Sequence, residues 1–381
     1  MTKHRLEKPD SVVIGAALAH RVRYGGHAWA LLQYVWGFRA LGFEVTVVDR
    51  VEPAMLDGGS QDAALAHVRG LLASDEIPYC VLGSSGESVD GLSREELVVR
   101  TRNARFLLNV MGFVRDEELL ESAQRRVFLD IDPGFGQVWQ QLGLADVFEG
   151  HDDFVTVGRN VGRPDCGVPT CGVEWLTIPH PVVLERCPVA DGGADFTTVG
   201  SWRGPYDAIE YDGRKLGLRA HEFRRYLSLP KRVGIAFRVA LELDRSDDAD
   251  LQALRAAGWA VVDPRRVAYD PNAYLEFVRS SLAEFTIAKG IYVELGTGWL
   301  GDRTVCYLAS GKPALVQDTG LAEHYPLGEG LLAFSTLDEA VAGVGRIVAD
   351  YASQSRAARR LAETHFDARL VLSRLLEQVG P

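Results

Sequence analysis

The residues best suited to chemistry in this chain lie between Lys289 and Gly320. Gly296, Gly298 and Gly301 make a loop that runs into Asp302 and Arg303, and a stretch with helical spacing follows to Ser310. Asp302 has the side chain of a helix N-cap. A helix starting there presents free backbone N–H groups and the positive end of its dipole. Glycines let the main chain come close to a ligand, and Arg303 adds a charged clamp. This combination suits a nucleotide diphosphate. The plainer alternative is a tight turn whose acid only caps the helix.

Three other groups invite a chemical reading. Gly25, Gly26 and His27 follow the first apolar run and open a helical stretch, so their N–H groups point into whatever crevice faces that edge. Asp130 and Asp132 flank Ile131, with Pro133-Gly134 directly after, so both carboxylates can meet one divalent ion only at a strand end. Cys166 and Cys171 lack the second ligand pair that a zinc site needs, and they read as buried thiols.

The elements that must position these residues alternate. Apolar runs at 12–17, 44–48, 79–83, 105–110, 126–131 and 147–148 read as strands; stretches with helical spacing lie between them, one of them beginning at His27 and ending near Gly42. Such alternation predicts parallel sheets covered on both faces. Residues 158–188 hold five prolines and interrupt the rhythm, as a crossing between two domains does. Strands at 195–199, 233–239, 260–263, 285–288 and 313–317, again separated by helices, make a second sheet, and helices at 336–351, 353–363 and 368–378 close the chain. Asp49 ends the second strand in the manner of a dinucleotide site, yet Gly-x-Gly-x-x-Gly is absent after the first, so no NAD or FAD cofactor is expected.

Composition narrows the class. With 381 residues, 47% of them apolar, the chain has room for two cored domains. A net charge of −11 without a basic run argues against a nucleic-acid partner. No apolar run reaches membrane-spanning length, the start lacks a signal peptide's apolar core, and five cysteines suit a reducing, cytoplasmic setting.

Lys289-Gly290, the loop through Gly298 and Asp302-Arg303, Gly311-Lys312-Pro313 and the turn Gln317-Asp318-Thr319-Gly320 together resemble the donor half of GT-B fold glycosyltransferases. The resemblance implies an α/β fold of two Rossmann-like domains facing each other across a cleft: an acceptor-side domain over 1–185, a donor domain over 186–366, and a last helix, 367–381, packing back on the first domain. It implies a nucleotide-diphosphate sugar donor, a hydroxyl on a small-molecule acceptor, no metal, and the option of a homodimer.

By the same resemblance Gly25 and Gly26 approach the donor, and His27 is the first candidate for the base that takes the acceptor proton, a task imidazole suits without much adjustment. Asp132 is a second candidate base or the group that orients His27. Ser201 and Arg203, after the strand at 195–199, would hold donor phosphates with Lys289, Asp302 and Arg303; Trp202 or Trp299 would stack on the base; Asp318 and Thr319 would touch the sugar or nucleotide. One departure stands out. Many retaining members place two glutamates eight positions apart where this chain has Gly298 and Cys306. A sugar-nucleotide epimerase of the same architecture and a catalytically silent sugar- or nucleotide-binding protein are the alternatives.

Overall fold

A computed structural model of the chain describes residues 10–56, 59–204 and 206–379. The first sheet has eight strands: β1 (Ser11–Gly15), β2 (Glu44–Arg50), β3 (Tyr79–Leu82), β4 (Ser88–Gly91), β5 (Phe106–Val110), β6 (Arg126–Asp130), β7 (Asp153–Thr156) and β8 (Trp175–Thr177). Their order is β4-β3-β2-β1-β5-β6-β7-β8, parallel throughout except for the β3–β4 hairpin. Val12, Ile14, Val47, Phe106, Leu108 and Val127 are buried, as expected of strands covered on both faces. Chain order reverses between β1 and β5, which opens a crevice beyond their carboxyl ends.

The second sheet is built from β9 (Phe196–Ser201), β12 (Phe237–Glu242), β13 (Trp259–Val262), β14 (Ala283–Thr286), β15 (Ala314–Gln317) and β16 (Leu331–Phe334), in the order β13-β12-β9-β14-β15-β16 and all parallel. A small hairpin, β10 (Ile209–Tyr211) with β11 (Arg214–Leu216), stands apart. Here the switch point lies between β9 and β14. Phe237, Trp259, Phe285 and Phe334 form an aromatic stack through the core on one face, with Phe285 and Phe334 nearly parallel at 5.3 Å.

Helix starts follow local rules. Ser93 and Glu96 make a reciprocal capping box for Arg94–Asn103, Thr336 and Glu339 do the same for Leu337–Ala349, and Asp270 caps a helix with Pro271 in its first turn. The last helix, Ala368–Gln378, returns to the first domain: a Cβ at Gly37 would meet Leu372 and Ala368, and Arg105 donates to the Leu376 carbonyl at 3.0 Å.

Several elements differ from expectation. Residues 147–148 form no strand; the chain there turns at Asp146, whose carboxylate accepts from the Phe148 and Glu149 amides. The strands that do form, β7 and β8, lie later, and β8 falls within the stretch read as a crossing. The strand expected at 233–239 begins later, at Phe237, because a short helix with Pro230 in its first turn, Leu229–Val233, ends at a left-handed Gly234 before β12. Ahead of the glycine loop sits an extra turn of helix, Gly290–Glu294.

Candidate active site

The carboxyl edges of the two sheets face each other, and the seam between them is charged. Asp132, two residues past β6, receives Lys289 Nζ at 2.8 and 2.7 Å on its two oxygens; Lys289 lies just beyond β14 on the other sheet. Tyr292, from the extra helical turn, also donates to Asp132. Lys289 is 8% exposed, and its ammonium sits 4.8 Å from the Phe135 ring centroid and 5.3 Å from that of Tyr292. Burial pulls its pKa down, and the Asp132 charge opposes that shift.

Beside it, at the switch point of the second sheet, stands Arg219. Its Nε donates to the Ile287 carbonyl at 3.1 Å and one terminal nitrogen to the Ser201 carbonyl at 3.0 Å, so the guanidinium bridges the ends of β9 and β14. Burial, then the nearby Arg303, lower its pKa to about 10. A desolvated arginine and a desolvated lysine side by side favour an anion between them. No motif announces Arg219: it follows a small hairpin, and only the fold brings it to this edge.

Arg303 is committed elsewhere. It is 8% exposed, donating to buried Glu284 at 2.6 Å, to the Val199 carbonyl at 2.5 Å and to the Thr286 hydroxyl, all within the second domain. Asp302 is not the helix cap either; Gly301 holds that place, and Asp302 is the first helical residue, its carboxylate without a hydrogen-bond partner among the described residues. Trp202 belongs to the core, 0% exposed with its indole on Asp250 at 2.9 Å. Arg203, itself exposed, pairs with the buried Asp247 carboxylate. Trp299 lies on Tyr292, ring centroids 4.5 Å apart.

The glycines have neighbours of their own. At Gly298, φ +67°, a Cβ would press on Asn160, whose amide nitrogen donates to the Gly296 carbonyl at 2.9 Å and the Gly320 carbonyl at 3.1 Å while its oxygen accepts from His324 at 2.6 Å. Asn160 comes from the segment after β7, so a side chain of the first sheet's connection fastens both donor-side loops. Thr319 joins them from within: its carbonyl accepts from the Gly298 amide at 2.7 Å and its hydroxyl donates to the Trp299 carbonyl at 2.7 Å. The Asp318 carboxylate accepts from the Gly320 and Leu321 amides and so shapes the turn. Gly25 donates to the Ala268 carbonyl at 2.9 Å, and a Cβ there would overlap the Asp270 carbonyl; Gly26 lies under the Tyr274 ring.

His27 is half-buried in the first helix, its Nε2 2.8 Å from the Ala17 carbonyl. Donation to that carbonyl leaves Nδ1 as the lone-pair nitrogen, and burial lowers the pKa. Among carboxylates, the charge felt at His27 is that of Asp302, whereas Asp132 is held by Lys289 and Tyr292. Asp130 accepts from Gln137 at 2.7 Å, Thr156 at 2.8 Å and the Asp132 amide at 3.0 Å, with burial lifting its pKa to about 6. The Asp-x-Asp carboxylates therefore serve two separate networks. Where the family's ribose-binding glutamate would stand, Cys306 packs against Cys187, sulfurs 3.8 Å apart.

With this geometry in place, the overall likeness is decisive for the fold. HepE of Anabaena, in complex with UDP and glucose, superposes with a TM-score of 0.60 at 11% identity, over 97% of this chain and 99% of that one. The fold is GT-B. An α-glucosyltransferase in complex with UDP and a 13-mer DNA containing a HMU base gives a TM-score of 0.60 at 12% identity, over 98% of this chain and 100% of the other. Sucrose-phosphate synthase from Thermosynechococcus elongatus gives 0.55 at 11%, over 97% and 99%. No protein-family model matches the chain, and no curated protein matches it.

One expectation is corrected by these GT-B structures. The net charge of −11 argued against nucleic acid as a partner, yet a protein covered over its whole length by the same fold is seen with DNA. Net charge sums the entire surface, whereas a ligand meets the potential of one rim. No helix among the described residues is long and apolar enough to cross a membrane.

Proposed function

We propose that the protein is a glycosyltransferase that moves a sugar from a nucleotide diphosphate donor to a hydroxyl of a small-molecule acceptor without a metal ion. The observation that carries this reading is the pair of desolvated cations, Arg219 and Lys289, at the switch point of the second sheet, facing Asp132 from the first. Cations held at a partly enclosed edge, Lys289 buried and Arg219 half-buried, are what a departing diphosphate requires, since its charge grows as the glycosidic bond breaks. HepE, of the same fold, is described with UDP and glucose bound.

In this reading the diphosphate takes Lys289 from Asp132 and lies against Arg219, with the backbone of Gly298 and of the helix start at Asp302 closing over it. Arg303 supports the loop from beneath through Glu284 instead of touching the donor. His27 takes the acceptor proton through Nδ1, with the Asp302 carboxylate across the cleft stabilising the imidazolium that forms. Asp130 and Asp132 are bound into different networks, so they do not supply one ion with two ligands, and a lysine and an arginine stand in for the metal's charge. Thermal-shift titration with UDP, TDP and GDP in EDTA tests the reading. One nucleotide should raise the melting temperature, and addition of magnesium should leave that shift unchanged; no shift with any of the three contradicts it.

A further inference from the structure

The first sheet has its own switch point, between β1 and β5, and the loops that open there carry arginines. Arg21 and Arg23 lie in loop 16–24 after β1, Arg50 ends β2, and Arg115 lies in loop 111–116 after β5. Side-chain contacts draw these loops together. The His20 and Phe113 rings meet edge to face at 5.3 Å, Arg50 lies 4.8 Å over the Phe113 ring, and the Glu52 amide donates to His20 Nε2 at 3.3 Å. Arg23 and Arg115 are exposed, and Arg23 holds φ +67°, a left-handed conformation that a non-glycine residue rarely adopts.

Three of these four charges are not balanced by acids. Neither Arg21, Arg23 nor Arg115 has an ion-pair partner among the described residues. Arg50 pairs with Glu52 at 2.9 Å, and Asp116 is taken by Arg94 at 2.9 Å. Asp49 is 1% exposed and serves the Leu18, Ala19 and Arg50 amides. His20, 9% exposed, accepts at Nε2, so its Nδ1 carries the proton, and that buried donor has no partner. Three arginines without acidic partners, on loops that open at the edge where parallel sheets bind ligands, are suited to an anionic oxygen.

We propose that Arg21, Arg23, Arg50 and Arg115, on the loops that Phe113 and His20 join, bind a phosphate ester, so that the acceptor carries a phosphate near the hydroxyl that receives the sugar. The inference rests on the reading of the first domain as the acceptor side. Guanidinium forks match the oxygens of a phosphate better than those of a neutral hydroxyl compound. Half-exposed Phe113 offers a flat apolar surface beside them.

The same chemistry arises from a small phosphorylated acceptor or from a nucleic-acid backbone, and binding measurements on the full chain without any donor separate the two. The probes are glucose 6-phosphate, glucose as its neutral counterpart, and a fluorescein-labelled 13-mer single-stranded DNA, each titrated into the wild type and into the triple variant Arg21→Gln, Arg23→Gln, Arg115→Gln. At least one phosphate probe should bind about tenfold or more tightly than glucose, and the triple variant should lose that factor, in keeping with removal of one charge-assisted hydrogen bond or more. Tight binding of the oligonucleotide alone assigns the phosphate to a nucleic-acid backbone, and of glucose 6-phosphate alone to a small acceptor. The proposal is overturned if neither phosphate probe binds better than glucose, or if the triple variant keeps the preference. UDP titrated separately reads the donor half, so a protein that binds phosphate at this rim but no nucleotide refutes the donor reading and leaves this one standing.

Discussion

Lys289 of the second domain and Asp132 of the first are joined by two hydrogen bonds of 2.8 and 2.7 Å across the cleft, with Tyr292 as a third donor on the same carboxylate. In the proposed function the donor diphosphate and Asp132 compete for one ammonium. Asp132→Asn should therefore tighten UDP binding while lowering thermal stability, because the cleft loses an ion pair in the ligand-free state. Lys289→Ala should weaken UDP by ~1.5–3 kcal/mol, the range of a hydrogen bond to a charged group. Calorimetric titration of both variants checks the pair. If Asp132→Asn binds UDP more weakly than the wild type, Asp132 assists the donor instead of competing with it.

Arg219 and Arg303 should behave in opposite ways. Removing Arg303 leaves Glu284, which is 0% exposed, without its cation, a defect of about 3–5 kcal/mol in stability. Arg219→Ala should act mainly on UDP affinity, since its protein partners are two backbone carbonyls at the cleft edge. Denaturant unfolding and calorimetry on each variant separate the two effects. A folded, fully stable Arg303→Ala that has lost only nucleotide affinity would return Arg303 to the clamp role its place in the loop suggests.

Much of the architecture was readable because it is local. The alternation of apolar runs with helical spacing, the Ser93–Glu96 and Thr336–Glu339 boxes, and Gly311-Lys312-Pro313 before β15 all act within a few residues. The alternation pointed to parallel sheets, and the GT-B fold came from the resemblance carried by the stretch from Lys289 to Gly320. What stayed hidden is non-local. β16 is four residues long and takes its place by pairing with β15, and β8 is three residues added to the sheet edge. Whether Arg303 faces a ligand or the core depends on Glu284, nineteen positions away. The spacing of Gly298 invites a phosphate reading, yet the neighbour that excludes a Cβ there is Asn160, more than a hundred positions earlier. Arg219 carries no motif, and its cleft position comes from the turn after β11. The arginines of the first rim belong to no motif, and their loops are joined only by the contacts of His20 and Arg50 with Phe113.

Asp49 gives the fold a pH dependence of definite sign. Burial raises its pKa from 3.8 to about 7, so the folded state holds a proton that the unfolded chain releases at lower pH. Its contribution to stability is complete below the unfolded value and is lost as pH rises toward the folded one. The melting temperature of the wild type should fall more steeply between pH 4 and pH 7 than that of Asp49→Asn, even though the variant starts lower from disturbing the Leu18 and Ala19 amides. Parallel curves for the two proteins would mean that Asp49 stays ionised in the fold.

His27→Ala should lower turnover by about 10²–10⁴-fold, the usual contribution of a positioned base, and should leave UDP affinity nearly unchanged. His27→Gln retains a donor for the Ala17 carbonyl but cannot take a proton, so it distinguishes lost chemistry from a disturbed loop. Should either variant lose nucleotide affinity in step with rate, His27 belongs to the donor site.

In the proposed function the Arg219 and Lys289 edge holds a nucleotide diphosphate while the sugar leaves for an acceptor. The measurement that tests it most directly is mass-spectrometric detection of sugar transfer from UDP-, TDP- or GDP-glucose in EDTA, to a panel of hydroxyl acceptors with and without phosphate, with nucleotide diphosphate release followed in the same samples. Release of one nucleoside diphosphate should depend on acceptor, a product heavier by one hexose should appear with it, and both should be lost in Lys289→Ala. Conversion of the nucleotide sugar to an isomer without release, activity only after magnesium or manganese is restored, or no turnover by a protein that binds the donor would contradict it.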